Sequence, residues 1–324
     1  MSIQLSIVNT MLRTLVKPSL SVVPLRNIRE KRNILKKISA MMPVPEGFHF
    51  EPLHFANFKG EKIRHNDIDH SHDKVVLYFP GGAYIAGSHF SHRNITTRIS
   101  QYAHAKVVAI NYRKAPEYPY PYPVKDAIHA YECLLSQGYL PENISFAGDS
   151  AGGNLVLSTL YHLKEHNLSM PSSAVCISPW TDISGSGESN TTRAKDDPML
   201  PAFRMKKVSK LYANGLDLKD PRVSPLYADT TGFPPVLFHV GTREIVFSDS
   251  VNMHQRIIKA GGQSEIRIWE NAPHVFQAFA GFVPQSTQSL KEISQFMLKN
   301  WNFDLQTREI PVNINSTSPV LAES

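Results

Sequence analysis

Short runs rich in Val, Ile and Phe alternate, after residue 45, with longer stretches in which apolar side chains recur at three and four. The short runs predict strands over 74–79, 105–112, 144–148, 173–178, 235–241 and 266–269, most of them too uniformly apolar to have a wet face. The longer stretches predict helices over 124–137, 151–166, 248–260 and 287–299. Strand and helix in strict alternation imply an α/β chain, with a mainly parallel central sheet flanked by helices on both faces.

Two stretches break the alternation. Between the strands ending near Trp180 and beginning near Pro235, the chain is far longer than a usual strand-to-helix loop. It carries a polar, Gly-rich piece at 184–187 and a helical pattern at 201–216, so an inserted lid is expected there. The first 40 residues have helical spacing and eight Lys or Arg against Glu30 alone. The expected organisation is N-terminal cap helices over 1–45, a first core part over 46–183, a cap insertion over 184–230, a second core part over 231–305 and a flexible tail over 306–324.

Composition narrows the class. With 42% apolar, 19% charged and 10% aromatic residues, the chain is neither disordered nor collagenous. Cys133 and Cys176 are too few for a disulfide framework, and both lie in apolar surroundings that suit buried thiols. No run reaches the length of a membrane-spanning helix and no signal peptide is read, so the expectation is a cytoplasmic protein whose Asn-X-Ser/Thr sequons are incidental. The net charge of +6 resides in the N-terminal segment, and the rest is near neutral. That basic segment has no aromatic stacking platform, which argues against nucleic acid. The partner expected is a small-molecule ester. The basic helices are read as an amphipathic pair covering an apolar surface, with a weak membrane-surface contact as the alternative and a homodimer as a further candidate partner.

Gly148-Asp149-Ser150-Ala151-Gly152 fits G-x-S-x-G, with an apolar strand running in and an apolar helix running out. A turn that sharp needs small residues at 148 and 152 and exposes the Ser150 hydroxyl at a helix N-terminus, where developing negative charge is favoured. Upstream, the strand ending at Phe79 runs into Pro80-Gly81-Gly82-Ala83-Tyr84, whose backbone N–H groups can approach a substrate oxygen. The amides of Gly81, Gly82, Ala83 and Ala151 are the candidate oxyanion donors, and Tyr84 and Asp149 are candidate pocket residues. A serine nucleophile needs a base and an orienting acid. His274, in a turn after the strand 266–269, is the candidate base. His239 lies inside a strand, and His162, His166 and His254 lie on helices. Glu244, just after the strand 235–241, is the candidate acid, with Asp249 as the alternative. The run from Arg64 to Asp73 holds three His and three Asp but no fixed zinc spacing, so no metal and no cofactor is expected.

These motifs together resemble the hormone-sensitive-lipase-like branch of the α/β-hydrolases, the bacterial family IV carboxylesterases. Tyr78-Phe-Pro-Gly-Gly-Ala-Tyr looks like the family's His-Gly-Gly-Gly segment, Asn111-Tyr-Arg-Lys-Ala-Pro-Glu like its Asp-Tyr-Arg-Leu-Ala-Pro-Glu segment, and Gly148-Asp-Ser-Ala-Gly-Gly-Asn like its elbow. Ser178-Pro-Trp-Thr-Asp182, Asp197-Pro-Met-Leu and Val240-Gly-Thr-Arg-Glu resemble its later landmarks. The resemblance implies an α/β-hydrolase fold with a helical cap, a catalytic Ser150, Glu244 and His274, and structural roles for Arg113 and Glu117. It implies a serine carboxylesterase acting on short- to medium-chain esters through an acyl-enzyme. A same-fold amidase, peptidase or lactone hydrolase, and a non-catalytic small-ligand receptor, are the alternatives. Two positions depart: Pro80 stands where the family has His, and Ala83 where it has its third Gly. Pro's restricted φ is then expected to set the loop, and Ala83 to offer its N–H at negative φ. Met41, Met42, Leu211 and Tyr212 are expected to shape a modest apolar pocket under the cap.

Overall fold

A computed structural model describes residues 2–22, 28, 30, 32 and 44–302. Eight strands form one sheet: β1 (Phe48–His54), β2 (Lys59–His65), β3 (Val75–Phe79), β4 (Lys106–Asn111), β5 (Ile144–Asp149), β6 (Ser173–Ile177), β7 (Val236–Gly241) and β8 (Ser264–Trp269). Their order is β1-β2-β4-β3-β5-β6-β7-β8, with β2 antiparallel to both β1 and β4 and every other pair parallel. The helices are α1 (Ile3–Met11), α2 (Lys17–Val22), α3 (Arg93–Tyr102), α4 (Tyr122–Ser136), α5 (Ala151–Glu165), α6 (Ser189–Thr192), α7 (Ala202–Ala213), α8 (Phe247–Lys259) and α9 (Pro284–Asn300).

The central strands are buried on both faces, as their apolar runs require. Successive residues divide between two cores. Val75, Leu77 and Phe79 of β3 join Ile144, Phe146 and Cys176 under α4, α5 and α8. Val76 and Tyr78 join Ala147, Val175 and Ile177 against Ile95 and Ile99 of α3 and Leu290, Ile293 and Met297 of α9. A smaller cluster seats Leu5, Val8 and Leu12 on Val283, with Met199 and Phe279 packed alongside.

The six expected strands and four core helices are present, with ends that agree to within three residues. The helix expected over 201–216 is shorter, closing at Ala213 where Asn214 takes a left-handed conformation. β1, β2 and α3 were not predicted. β1 is an edge strand with charged and half-exposed residues, and β2 carries Lys59, Glu61, Lys62 and Arg64, so neither shows an apolar run. α3 is rich in Thr, Ser and Arg, and its placement comes from packing Ile95 and Ile99 on the sheet. Cys176 is buried as expected, but Cys133 is only half-buried, and both are free thiols. Met41, Met42, the basic residues Arg26, Arg29, Lys31, Lys36 and Lys37 of the N-terminal segment, and the tail over 306–324 lie outside the described residues. Among the described residues no helix is long and apolar enough to cross a membrane.

In-register pairing brings Phe79 opposite Gly148, Asp149 opposite Ile177 and Gly241 opposite Trp269. The parallel strands therefore end together, and every candidate functional residue emerges from this one edge.

Candidate active site

Ser150 sits between β5 and α5 at φ 54° and ψ −119°, a region that costs a side-chain-bearing residue energy. The turn closes because residues 148 and 152 are glycines. A Cβ on Gly148 would stand 2.5 Å from the carbonyl oxygen of residue 152, and one on Gly152 would overlap that of Phe79. Ser150 donates its N–H to Ile177 O at 2.8 Å, and its own carbonyl accepts from Trp180 N at 3.1 Å, which holds the elbow against the end of β6. Ala151 opens α5, so its N–H has no intrahelical acceptor.

Glu244, fully buried after β7, receives His274 Nδ1 on Oε2 at 2.7 Å. Its Oε1 accepts the N–H of Gly241 at 2.6 Å and the hydroxyl of Ser178 at 2.8 Å. The carboxylate is thereby held by three donors, with Nδ1–H toward the acid and Nε2 on the opposite side of the ring. Burial pushes the imidazole down, but the Glu244 hydrogen bond and charge outweigh it and hold the His274 pKa above the ordinary 6.5. Buried Asp197 adds to that field while its own oxygens accept the N–H groups of Met199, Leu200 and Ile245. Asp249, the alternative acid, lies in the first turn of α8 and accepts Asp182 N–H at 2.9 Å, away from the imidazole. The remaining histidines also sit elsewhere: His239 on Ser289 and Trp269, His162 stacked on His166, and His254 on Ser264.

The loop after β3 differs from expectation in three ways. Gly81 does not offer a free amide, because its N–H is taken by Asp149 Oδ1 at 3.0 Å. Ala83 is at φ +54°, not at negative φ, and is flanked by Gly82 at +121° and Tyr84 at +60°. The loop is held by its neighbours in addition to Pro80's ring, since Tyr112 donates its hydroxyl to Pro80 O at 2.7 Å and Gly82 O accepts from Ile85 and Ala86. The N–H groups of Gly82 and Ala83 meet no acceptor among the described residues. Neither Asp149 nor Tyr84 is free to line a pocket. Asp149 is saturated by Tyr78, Gly81 and His92. Tyr84 is fully buried, bonded to Asn154 at 2.6 Å and stacked 3.6 Å from Tyr212 of α7. Tyr212 is therefore core, while Leu211 is half-buried against the same cluster.

Arg113 grips Asp126 and Glu117 grips Arg32, both as ion pairs. In the 64–73 run the side chains engage one another and local backbone, as when Asp69 takes Ser71 and Arg64 meets His70. Among the described residues no three His, Cys, Asp or Glu side chains gather as a metal site.

The sequence profile of the alpha/beta hydrolase fold matches residues 76–278. An acetyl-hydrolase of Streptomyces hygroscopicus is 35% identical over 224 residues, 69% of this chain and 75% of that protein. An esterase of Acinetobacter venetianus is 30% identical over 266 residues, 82% of this chain and 87% of its own. A solved esterase from the bacterial hormone-sensitive lipase family superposes with a TM-score of 0.87 at 34% identity, covering 93% of this chain and 99% of that one. This chain belongs to the hormone-sensitive-lipase-like esterases of the α/β-hydrolase superfamily.

Two residues that matter to this esterase site were missed in the sequence. Ser178, at φ +45° after β6, donates to Glu244 and accepts the N–H of Val275 at 3.2 Å, joining the acid to the residue after the base. It stands at the head of the Ser178-Pro-Trp-Thr-Asp182 landmark, which signals a turn but not that contact. His92, beside Asp149, belongs to none of the sequence motifs named above.

Proposed function

We propose that this ester hydrolase works by a serine mechanism through Ser150, His274 and Glu244. Nε2 of His274 takes the Ser150 proton as Oγ attacks the ester carbonyl, and Glu244 holds the tautomer and the charge the imidazole acquires. The oxyanion is received by the amides of Gly82, Ala83 and Ala151. The same imidazole then passes the proton to the leaving alcohol and activates the water that releases the acid. The observation that carries this reading is the buried 2.7 Å Glu244–His274 bond at the strand edge that also presents the Ser150 elbow. The acids and histidines that competed with this pair in the sequence all have other partners.

The substrate class we propose is short- to medium-chain carboxylic esters, reached under a cap formed by the N-terminal helices and the excursion between β6 and β7. Support comes from the packing of α1 beside Met199 of that excursion, and from the stacking of Tyr212 on Tyr84, which ties the excursion's helix to the loop after β3. The test is initial rates on p-nitrophenyl esters from acetate to palmitate, with Ser150→Ala in parallel. We expect rates that peak at short or medium chains and a loss of at least about 10⁴-fold in the variant. Equal rates in both proteins would reject Ser150 as nucleophile. Full inertness of the intact protein with retained binding of small apolar ligands would favour a receptor.

A further inference from the structure

His92 lies in a 3₁₀ turn at the entrance to α3, remote in sequence from both the elbow and the triad, yet its ring is wedged beside the oxyanion loop. Nδ1 is 3.0 Å from the carbonyl oxygen of Ser88 and 2.9 Å from Ser91 Oγ, and Nε2 is 3.2 Å from Asp149 Oδ2. Ser88 O and Asp149 Oδ2 can only accept, and the Ser91 hydroxyl is directed at Ser88 O at 2.8 Å, so an imidazolium with hydrogen on both nitrogens is the form that satisfies all of these contacts. The Asp149 charge draws the His92 pKa upward against burial, in agreement with that count. The other carboxylate oxygen, Oδ1, accepts Tyr78 O–H at 2.7 Å and Gly81 N–H at 3.0 Å.

Gly81 carries the loop into the two amides assigned to the oxyanion. On their far side, Gly82 O is fixed by Ile85 and Ala86 through backbone alone. On the near side, Asp149 supplies the bond to the Gly81 amide, and a Cβ at 81 would overlap that carboxylate, so the fit is close. Asp149 is also the residue before the nucleophile. An uncompensated carboxylate there would repel the oxyanion and could swing off Gly81.

We infer that His92 is a positioning residue for the oxyanion hole, its imidazolium locking and neutralising the Asp149 carboxylate that holds Gly81 and hence the Gly82 and Ala83 amides. This rests on the serine-esterase reading above, so the experiment separates the two.

The wild-type chain is first treated with an organophosphate and the labelled residue located by mass spectrometry. Labelling elsewhere than Ser150 sinks the parent reading. With Ser150 labelled, kcat, KM and the Ki of butylboronic acid, which mimics the tetrahedral intermediate, are measured for His92→Leu, His92→Gln, Asp149→Asn and the Gln/Asn double variant. A misplaced oxyanion loop is expected to lower kcat about 10²-fold in His92→Leu, with KM within twofold and boronate affinity falling in parallel. His92→Gln, which restores a donor, should recover about tenfold. The double variant should be no slower than the slower single, because both act on one contact. If His92→Leu does not fold, the Gln and Asn pair still decides the matter. A kcat within threefold of wild type in folded variants, boronate affinity unmoved, or strictly multiplicative losses in the double variant would each overturn the role.

Discussion

The two arms of the site reach the same strand edge by different physics. The acid–base arm is a chain of side chains, Ser178 to Glu244 to His274, with every bond between 2.7 and 2.8 Å and the carboxylate fully buried. The proposed oxyanion arm is a backbone loop in which Gly82, Ala83 and Tyr84 all adopt positive φ, a conformation maintained from outside by Tyr112, Asn154 and Asp149. The first arm is fixed by partners that titrate, so it should respond to charge and pH. The second is a backbone loop tethered in part by Asp149, so it should respond to loop stiffness and to what neutralises that carboxylate. A strained backbone persists only where its surroundings over-determine it.

The comparison breaks most visibly at Glu244. Glu244→Gln keeps the shape but places an amide against Nδ1, so the imidazole can be held in the wrong tautomer. The expected loss is about 10⁴-fold in kcat on a p-nitrophenyl ester, with KM nearly unchanged. A loss under tenfold would mean that Asp197, which also acts on His274, supplies the field instead.

Ser178→Ala is the next step down. It frees one lone pair of Glu244 and leaves the Val275 N–H without its acceptor. An unsatisfied buried amide costs about 1–3 kcal/mol, readable as a lower midpoint in urea, and a looser carboxylate should lower kcat about tenfold. The pH profile sharpens this. The base must be neutral to act, and its pKa is raised, so kcat/KM should fall as pH drops through a midpoint above the ordinary 6.5. In Ser178→Ala that midpoint should move down toward 6.5, because the hydrogen bond that raises it is less well held. An unmoved midpoint alongside a lowered kcat would mean that Ser178 positions the loop of Val275 rather than the acid.

The same contrast explains what the sequence disclosed. The parallel strands were legible because burial on both faces forces a run of Val, Ile and Phe, and the elbow because its turn forces Gly148 and Gly152 around Ser150. Glu244 and His274 could be chosen by their places after β7 and β8. β1, β2 and α3 stayed hidden because their burial depends on neighbours far along the chain: Glu61 on β2, for instance, is buried with Arg93 of α3. The loop conformation was illegible for a similar reason. An alanine normally avoids positive φ, and nothing local announces that Asp149, Tyr112 and Asn154 will impose it on Ala83 and Tyr84. Asp149 looked like a pocket residue because it adjoins the nucleophile. Its three partners, at positions 78, 81 and 92, appear only when β3 and β5 pair.

The smallest effect tests the second arm at its most strained point. Ala83 holds φ +54° at a cost of about 1 kcal/mol that glycine would not incur, while glycine would make the unfolded chain freer by a few tenths of that. Ala83→Gly should therefore be neutral to slightly stabilising, a rise of no more than about 2 °C in melting temperature. Its N–H is unchanged and the loop is gripped on both sides of it, so kcat/KM should stay within about threefold of wild type. A tenfold fall in kcat with unaltered melting would reverse the argument. It would show that the external tethers do not over-determine the loop, and that the methyl group of Ala83, by narrowing the conformations open to residue 83, is itself what keeps the oxyanion amides in line.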